Sequence, residues 1–496
     1  MKPSKAFRSK LRAGKTFLLL LGVLLTAGLL WADTTEDLLA FSMVSFSAIL
    51  PLVLWLRAGA PGIPVLPVAA ALYFIFYALP ILRNNVGDYD SWEIVELSAI
   101  VCSFLLAATA VWWPLISKIS RRSSNAVPNH ILDSQITLLM FLGLATGLLF
   151  HLALRLQVLD WMGSSVGVVR SVAMTATSVA CFLLGHARAR GLLKGAQWRW
   201  AIAAFSLLIL LISSSLFLIG SVMYTVAALF GYMITTRRVP WKSVIAASVV
   251  IFVLHAGKGE VRHKYWLPGT NYDAGIALTQ LPGLLAEWTQ AGVTAIVSGK
   301  SKNEQNVVDR ASLLRLLMNV VRVTPDYIPY LGGETYVLLP QMLIPRFLDE
   351  NKIASQAAMT MLNIRYGHQT ADQANVTAIG WGLIAEGYAN FGNWGVVSVG
   401  ILFGVLTALF TRFSAGAAAL SLPSLLAVAA MMILMNPEVD LAYLMTNLWQ
   451  GLISLFIFFS LCKQFMPQSS RPTRRAVKGP VRVAPIDDGL RPTRLN

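Results

Sequence analysis

The chain has 496 residues, of which 56% are hydrophobic and only 13% charged, with a formal net charge of +16. A soluble protein of this length carries roughly twice that charged share, so water is excluded as the main solvent and lipid is expected. The three cysteines, Cys102, Cys181 and Cys462, all lie inside apolar runs, which excludes a disulfide framework, a zinc knuckle and an exposed thiol nucleophile.

Apolar runs that approach the ~20 residues of a spanning helix occur at 16–32, 38–56, 65–82, 94–117, 136–154 and 166–185. The next run, Trp200 to Thr236, is far too long for one span. Basic residues flank it on both sides (Arg188, Arg190, Lys194 and Arg199 before; Arg237, Arg238 and Lys242 after). It is therefore predicted to be a helical hairpin turning near Ser213-Ser214-Ser215. Runs at 243–256, 394–411, 424–435 and 447–462 bring the expected total to about 12 transmembrane helices in an all-α polytopic membrane protein.

The basic charge follows this alternation. With the N-terminus inside, 26 of the 40 Lys and Arg fall in internal segments, while only three acids do: Asp133, Asp487 and Asp488. That asymmetry orients the chain with both termini in the cytoplasm and makes a nucleic-acid partner unnecessary. The first run lacks a small-x-small site at its end, so a retained anchor is expected rather than a cleaved signal. The last segment, 464–496, is rich in Arg and Pro and reads as a disordered basic tail.

One connection stands apart. Residues 257–378 form a large external loop between an N-terminal bundle (1–256) and the C-terminal helices (379–463). Long stretches of the loop are apolar with isolated charges, so it is expected to hug the membrane and be partly re-entrant. It carries Lys258, Arg262, Arg310, Arg315, Arg322, Arg346, Lys352 and Arg365. Pairing with nearby acids explains any one of these cations. So many in one loop favour a shared anion, because guanidinium forks bind phosphate oxygens bidentately.

Just beyond the loop, Glu386 and Asn390 stand at i and i+4 on one helix face. A carboxylate at membrane depth is costly and either pairs or acts. Segment 379–392 is expected to be re-entrant or interfacial. Gly400 and Gly404 form a GxxxG, which signals close helix packing.

From Asp309 to Gly395 the sequence resembles the Wzy-type polymerases of O-antigen and exopolysaccharide repeat units. The resemblance rests on Asp309-Arg310, on the segment Val323-Thr-Pro-Asp-Tyr-Ile-Pro-Tyr-Leu-Gly-Gly-Glu-Thr-Tyr336, on Leu343-Ile-Pro-Arg346 with Lys352 following, and on Glu386-Gly-Tyr-Ala-Asn-Phe-Gly392. It implies a GT-C-like, metal-independent and cofactor-free glycosyltransferase in the bacterial inner membrane. Its substrates would be undecaprenyl-diphosphate-linked glycans, and a chain-length regulator and a flippase would be partners. Arg310, Arg346 and Lys352 would hold the diphosphate, supported by Arg315, Arg322 and Arg262. Glu386 would be the base or acceptor-orienting group, with His368 as second choice. Glu334, Tyr336 and Asn390 would shape the substrate site.

HExxH, a P-loop and a Cys/His metal cluster are all missing from the sequence. Asp88-Tyr-Asp90 looks like the acidic motif of metal-dependent glycosyltransferases, although two acids in a turn are common. The alternatives are an O-antigen ligase, a transporter or flippase of lipid-linked sugars, and a non-catalytic scaffold. A transporter is expected to show repeated halves, and none is visible.

Overall fold

A computed structural model describes residues 21–82, 89–118, 133–216, 218–236, 238–265, 278–298, 313–344, 349, 352–376, 379–417 and 420–465. Within them the fold is helical throughout, with no strand. The helices are α1 (Leu21–Trp31), α2 (Thr35–Arg57), α3 (Val65–Leu82), α4 (Ser91–Ser117), α5 (Asp133–Arg155) and α6 (Val166–Ala189). Then come α7 (Gly195–Ser213), α8 (Leu218–Thr236) and α9 (Trp241–Tyr265). The large loop contributes α10 (Leu281–Ser298), α11 (Leu313–Val323), α12 (Glu334–Val337), α13 (Leu339–Leu343), α14 (Ala357–Arg365) and α15 (Ala371–Val376). The chain closes with α16 (Gly382–Ser414), α17 (Leu422–Leu434) and α18 (Leu441–Phe465).

Among the described residues ten helices are long and apolar enough to cross a membrane, the layout of a polytopic membrane protein. The difference from the expected 12 lies in α1 and α17. At 1.5 Å per residue, the 13 residues of α17 reach only ~20 Å, short of a ~30 Å hydrocarbon core. The long run 200–236 is two helices of 19 residues each, α7 and α8. Their turn is at Ser213–Leu216, where Arg155 donates to the Leu211 carbonyl and to Ser214, and Arg262 donates twice to the Leu216 carbonyl. Those guanidinium groups satisfy carbonyls that the end of α7 and the following turn leave open.

Two helix groups share the core, with α17 and α18 between them. In one, α4 packs against α2 and α16; in the other, α6 packs against α5 and α8. Glycine sets both spacings. A Cβ at Gly404 of α16 would lie 2.3 Å from the Ala108 carbonyl oxygen of α4, and one at Gly185 of α6 would meet the Ala228 carbonyl of α8. The GxxxG at 400–404 thus lets α16 and α4 touch backbone to backbone.

The first part of the large loop turns back along a spanning helix. Trp288 of α10 is buried and donates to the Leu254 carbonyl of α9 at 2.6 Å, and Gly292 fits against Val253 and Gly257. Glu287 meets Lys264 and Tyr265 nearer the end of α9. The two helices therefore run antiparallel. Exposed aromatics gather at the helix ends, with Trp92, Trp161 and Trp394 at one and Trp200 and Trp241 at the other, as interfacial belts do.

Candidate functional site

The site begins at a break in α16. Phe391 (φ −144°, ψ 21°) and Gly392 (φ 59°, ψ −145°) leave helical geometry, and the Gly392 conformation is one that side chains beyond glycine rarely adopt. Residues 382–390 consequently form a short helix that folds back onto the long one. A Cβ at Gly395 would lie 2.0 Å from the Gly387 carbonyl oxygen, although eight positions along an unbroken helix would separate these residues by ~12 Å. This turn lies within the segment 379–392 singled out in the sequence.

The large loop closes over the fold-back. Leu331 N–H donates to the Ala389 carbonyl at 3.0 Å and Gly332 N–H to the Asn390 carbonyl at 3.1 Å. The Asn390 side chain completes the clamp. Its Oδ1 accepts from Gly333 N–H at 3.1 Å, and its Nδ2 donates to Thr335 Oγ1 and to the Glu386 carbonyl, both at 2.9 Å. Asn390 and Thr335 are both fully buried. Tyr336 stacks on Phe391 with ring centroids 6.3 Å apart, and Tyr330 covers Gly392.

Beneath the clamp lie two buried carboxyls, Glu386 and Asp440, each 0% exposed. Glu386 Oε2 accepts from Leu441 N–H at 2.7 Å, and its Oε1 is buried without a hydrogen-bond partner. The Tyr336 hydroxyl is buried and equally without a partner, within electrostatic reach of both acids. Burial, together with those two acids, pushes the Tyr336 phenol well above its ordinary range, so it remains an O–H donor. The ring itself is partly exposed.

The α17–α18 connection, Asn436 to Asp440, joins this acidic pocket to a basic one. Glu438 accepts Gly382 N–H on its backbone carbonyl at 3.2 Å, and its side chain faces Lys258 and Arg262 of α9. Burial raises the Glu438 carboxyl, and the two cations oppose that shift.

Of the residues singled out in the sequence, Tyr336, Glu386 and Asn390 come together. Lys352 is buried, and its neighbour Ile353 packs on Met342, Ala358 and Ala442 beside the start of α18. His368 stacks edge-on against Trp381 at 5.8 Å. Arg322 makes a two-pronged ion pair with Glu93 of α4 (2.5 and 2.7 Å), and Glu334 pairs with Arg365 at 2.6 Å. Arg315 is half-buried on α11. Arg310, Arg346 and Asp88 lie outside the described residues.

Sequence reasoning missed Asp440 and Thr335. Asp440 had a readable signal, because an acid just before an apolar run is a helix N-cap. Its Oδ1 accepts from Tyr443 N–H at 2.6 Å, and α18 accordingly begins at Leu441 rather than near 447. Among the described residues no group of three or more His, Cys, Asp or Glu is placed to hold a metal ion. Comparison with family models, with curated proteins and with solved structures finds no match to this chain.

Proposed function

We propose that the chain is a bacterial inner-membrane glycosyltransferase that polymerises undecaprenyl-diphosphate-linked repeat units on the periplasmic face, with both termini in the cytoplasm. One observation carries the reading. Two of the segments on which the resemblance to Wzy-type polymerases rests, 323–336 and 386–392, are distant in sequence yet interlock through Asn390 over a buried carboxylate. The distribution of Lys and Arg supports the orientation.

In this reading Glu386 takes the proton of the acceptor sugar hydroxyl at Oε1, the atom that has no other partner. The hydroxyl oxygen bonds to the anomeric carbon of the donor while the bond to the diphosphate oxygen breaks. Lipid diphosphate leaves with the electron pair, and direct displacement inverts the anomeric centre. Cations at the Asn436–Asp440 loop, Lys258 and Arg262 on one side and Lys352 near the start of α18, supply the positive field for the leaving group, together with Arg310 and Arg346. Partly exposed Tyr336 and exposed Phe391 offer ring faces to the acceptor.

A transporter of lipid-linked sugars is the second reading. The buried carboxylates favour it, since acids inside membrane helices commonly mark proton relays. The glycan ladder of a deletion strain complemented with Glu386→Gln decides between them. Single-repeat caps on the outer lipid are expected. Precursor held in the cytoplasmic leaflet would instead indicate transport, and long polymer left unligated would indicate a ligase.

A further inference from the structure

Glu386 and Asp440 are built alike. Each has one oxygen committed to the backbone of α18, Glu386 Oε2 to Leu441 N–H and Asp440 Oδ1 to Tyr443 N–H. Each has its other oxygen, Oε1 and Oδ2, buried with no hydrogen-bond partner. Because Leu441 follows Asp440 directly, the backbone group that holds Glu386 also fixes it beside Asp440.

From α12 the Thr335 hydroxyl and the Tyr336 phenol face Glu386, and the phenol also reaches Asp440. From α14 the Met359 backbone faces Asp440, and from α18 the backbone N–H groups of Ala442 and Tyr443 do. Lys258 and Arg262 act on Glu438, and buried Lys352 lies near the start of α18. Two ionised carboxylates held side by side and out of water repel each other and forfeit their hydration. One proton held between them removes both costs and occupies the two oxygens that otherwise have nothing to bond.

We infer that Glu386 and Asp440 share a single proton and work as one acid–base unit of charge −1, with Asp440 as the positioning residue for Glu386. The chemistry assigned to the unit rests on the glycosyl-transfer reading; the shared proton does not. During transfer the unit starts with one proton and receives a second from the acceptor hydroxyl as the new C–O bond forms and the diphosphate departs. It then returns one proton to solvent. Asp440 keeps Glu386 anchored to α18 and limits the buried charge to one. Burial raises the Asp440 carboxyl above its ordinary value, as a proton-holding partner requires.

Infrared difference spectroscopy of the purified full-length protein in lipid nanodiscs, titrated with acid and base, tests this directly. The wild type is expected to show a protonated-carboxyl band at neutral pH and two titration steps separated by more than about one pH unit. Glu386→Gln and Asp440→Asn, both isosteric, each collapse the two steps into one. Two overlapping independent steps, or no carboxyl band that responds to either substitution, would overturn the inference. Should Asp440→Asn not fold, the response of the wild-type band to Glu386→Gln alone decides. If the protein makes no polymer with lipid-linked repeat units yet shows the coupled steps, the glycosyl-transfer reading fails and the shared proton stands.

Discussion

The buried clamp around Asn390 and the ion pairs on the surface of the same loop use similar groups under opposite conditions. Asn390, Thr335, Glu386 and Asp440 are all fully buried, whereas Arg365 and Glu334 remain largely solvated and Arg322 stays exposed where it meets Glu93. Charge that keeps its water gains little from a partner, with exposed pairs worth ~0–1 kcal/mol. A polar group that has lost its water must be bonded or it costs ~1–3 kcal/mol. Arg322, a supporting cation in the sequence reading, thus sits in a surface pair, and the energetic weight lies with an amide and two acids.

Substitutions can break or sharpen this contrast. Asn390→Ala removes three hydrogen bonds and strands Gly333 N–H, so a loss of ~3 kcal/mol is expected, read as a fall in unfolding temperature of the protein in nanodiscs. Thr335→Val keeps the shape but removes the acceptor for Asn390 Nδ2, with an expected loss of ~1–2 kcal/mol in the same measurement. Arg322→Ala and Arg365→Ala are expected to cost under ~1 kcal/mol each, and less as salt rises. If the arginine variants proved the more damaging to stability, the contrast would be inverted.

The spans were legible because hydropathy and length alone decide them, as with the 200–236 run that divides at Ser213–Leu216. Close contact at Gly404 was legible too, since small-residue spacing fixes how near two helices approach. The fold-back of α16 was not legible in the sequence. Nothing in Phe391-Gly392 specifies how sharply the chain turns, because the turn depends on Gly387 meeting Gly395 and on the loop pinned above it. The partnership of Glu386 with Asp440 joins residues 54 positions apart through a backbone N–H, a tertiary fact without local periodicity. The pairing of Arg322 with Glu93 was invisible for the same reason, as Glu93 sits on a distant helix.

The most direct test of the central claim is polymer synthesis by the purified protein in lipid vesicles supplied with a single-repeat, undecaprenyl-diphosphate-linked oligosaccharide. The wild type should build a ladder of lengthening glycans, and Glu386→Gln should slow it by ~100-fold or more, the usual scale for a lost general base, while remaining folded. A ladder of undiminished rate from Glu386→Gln, or none from the wild type, would contradict the account.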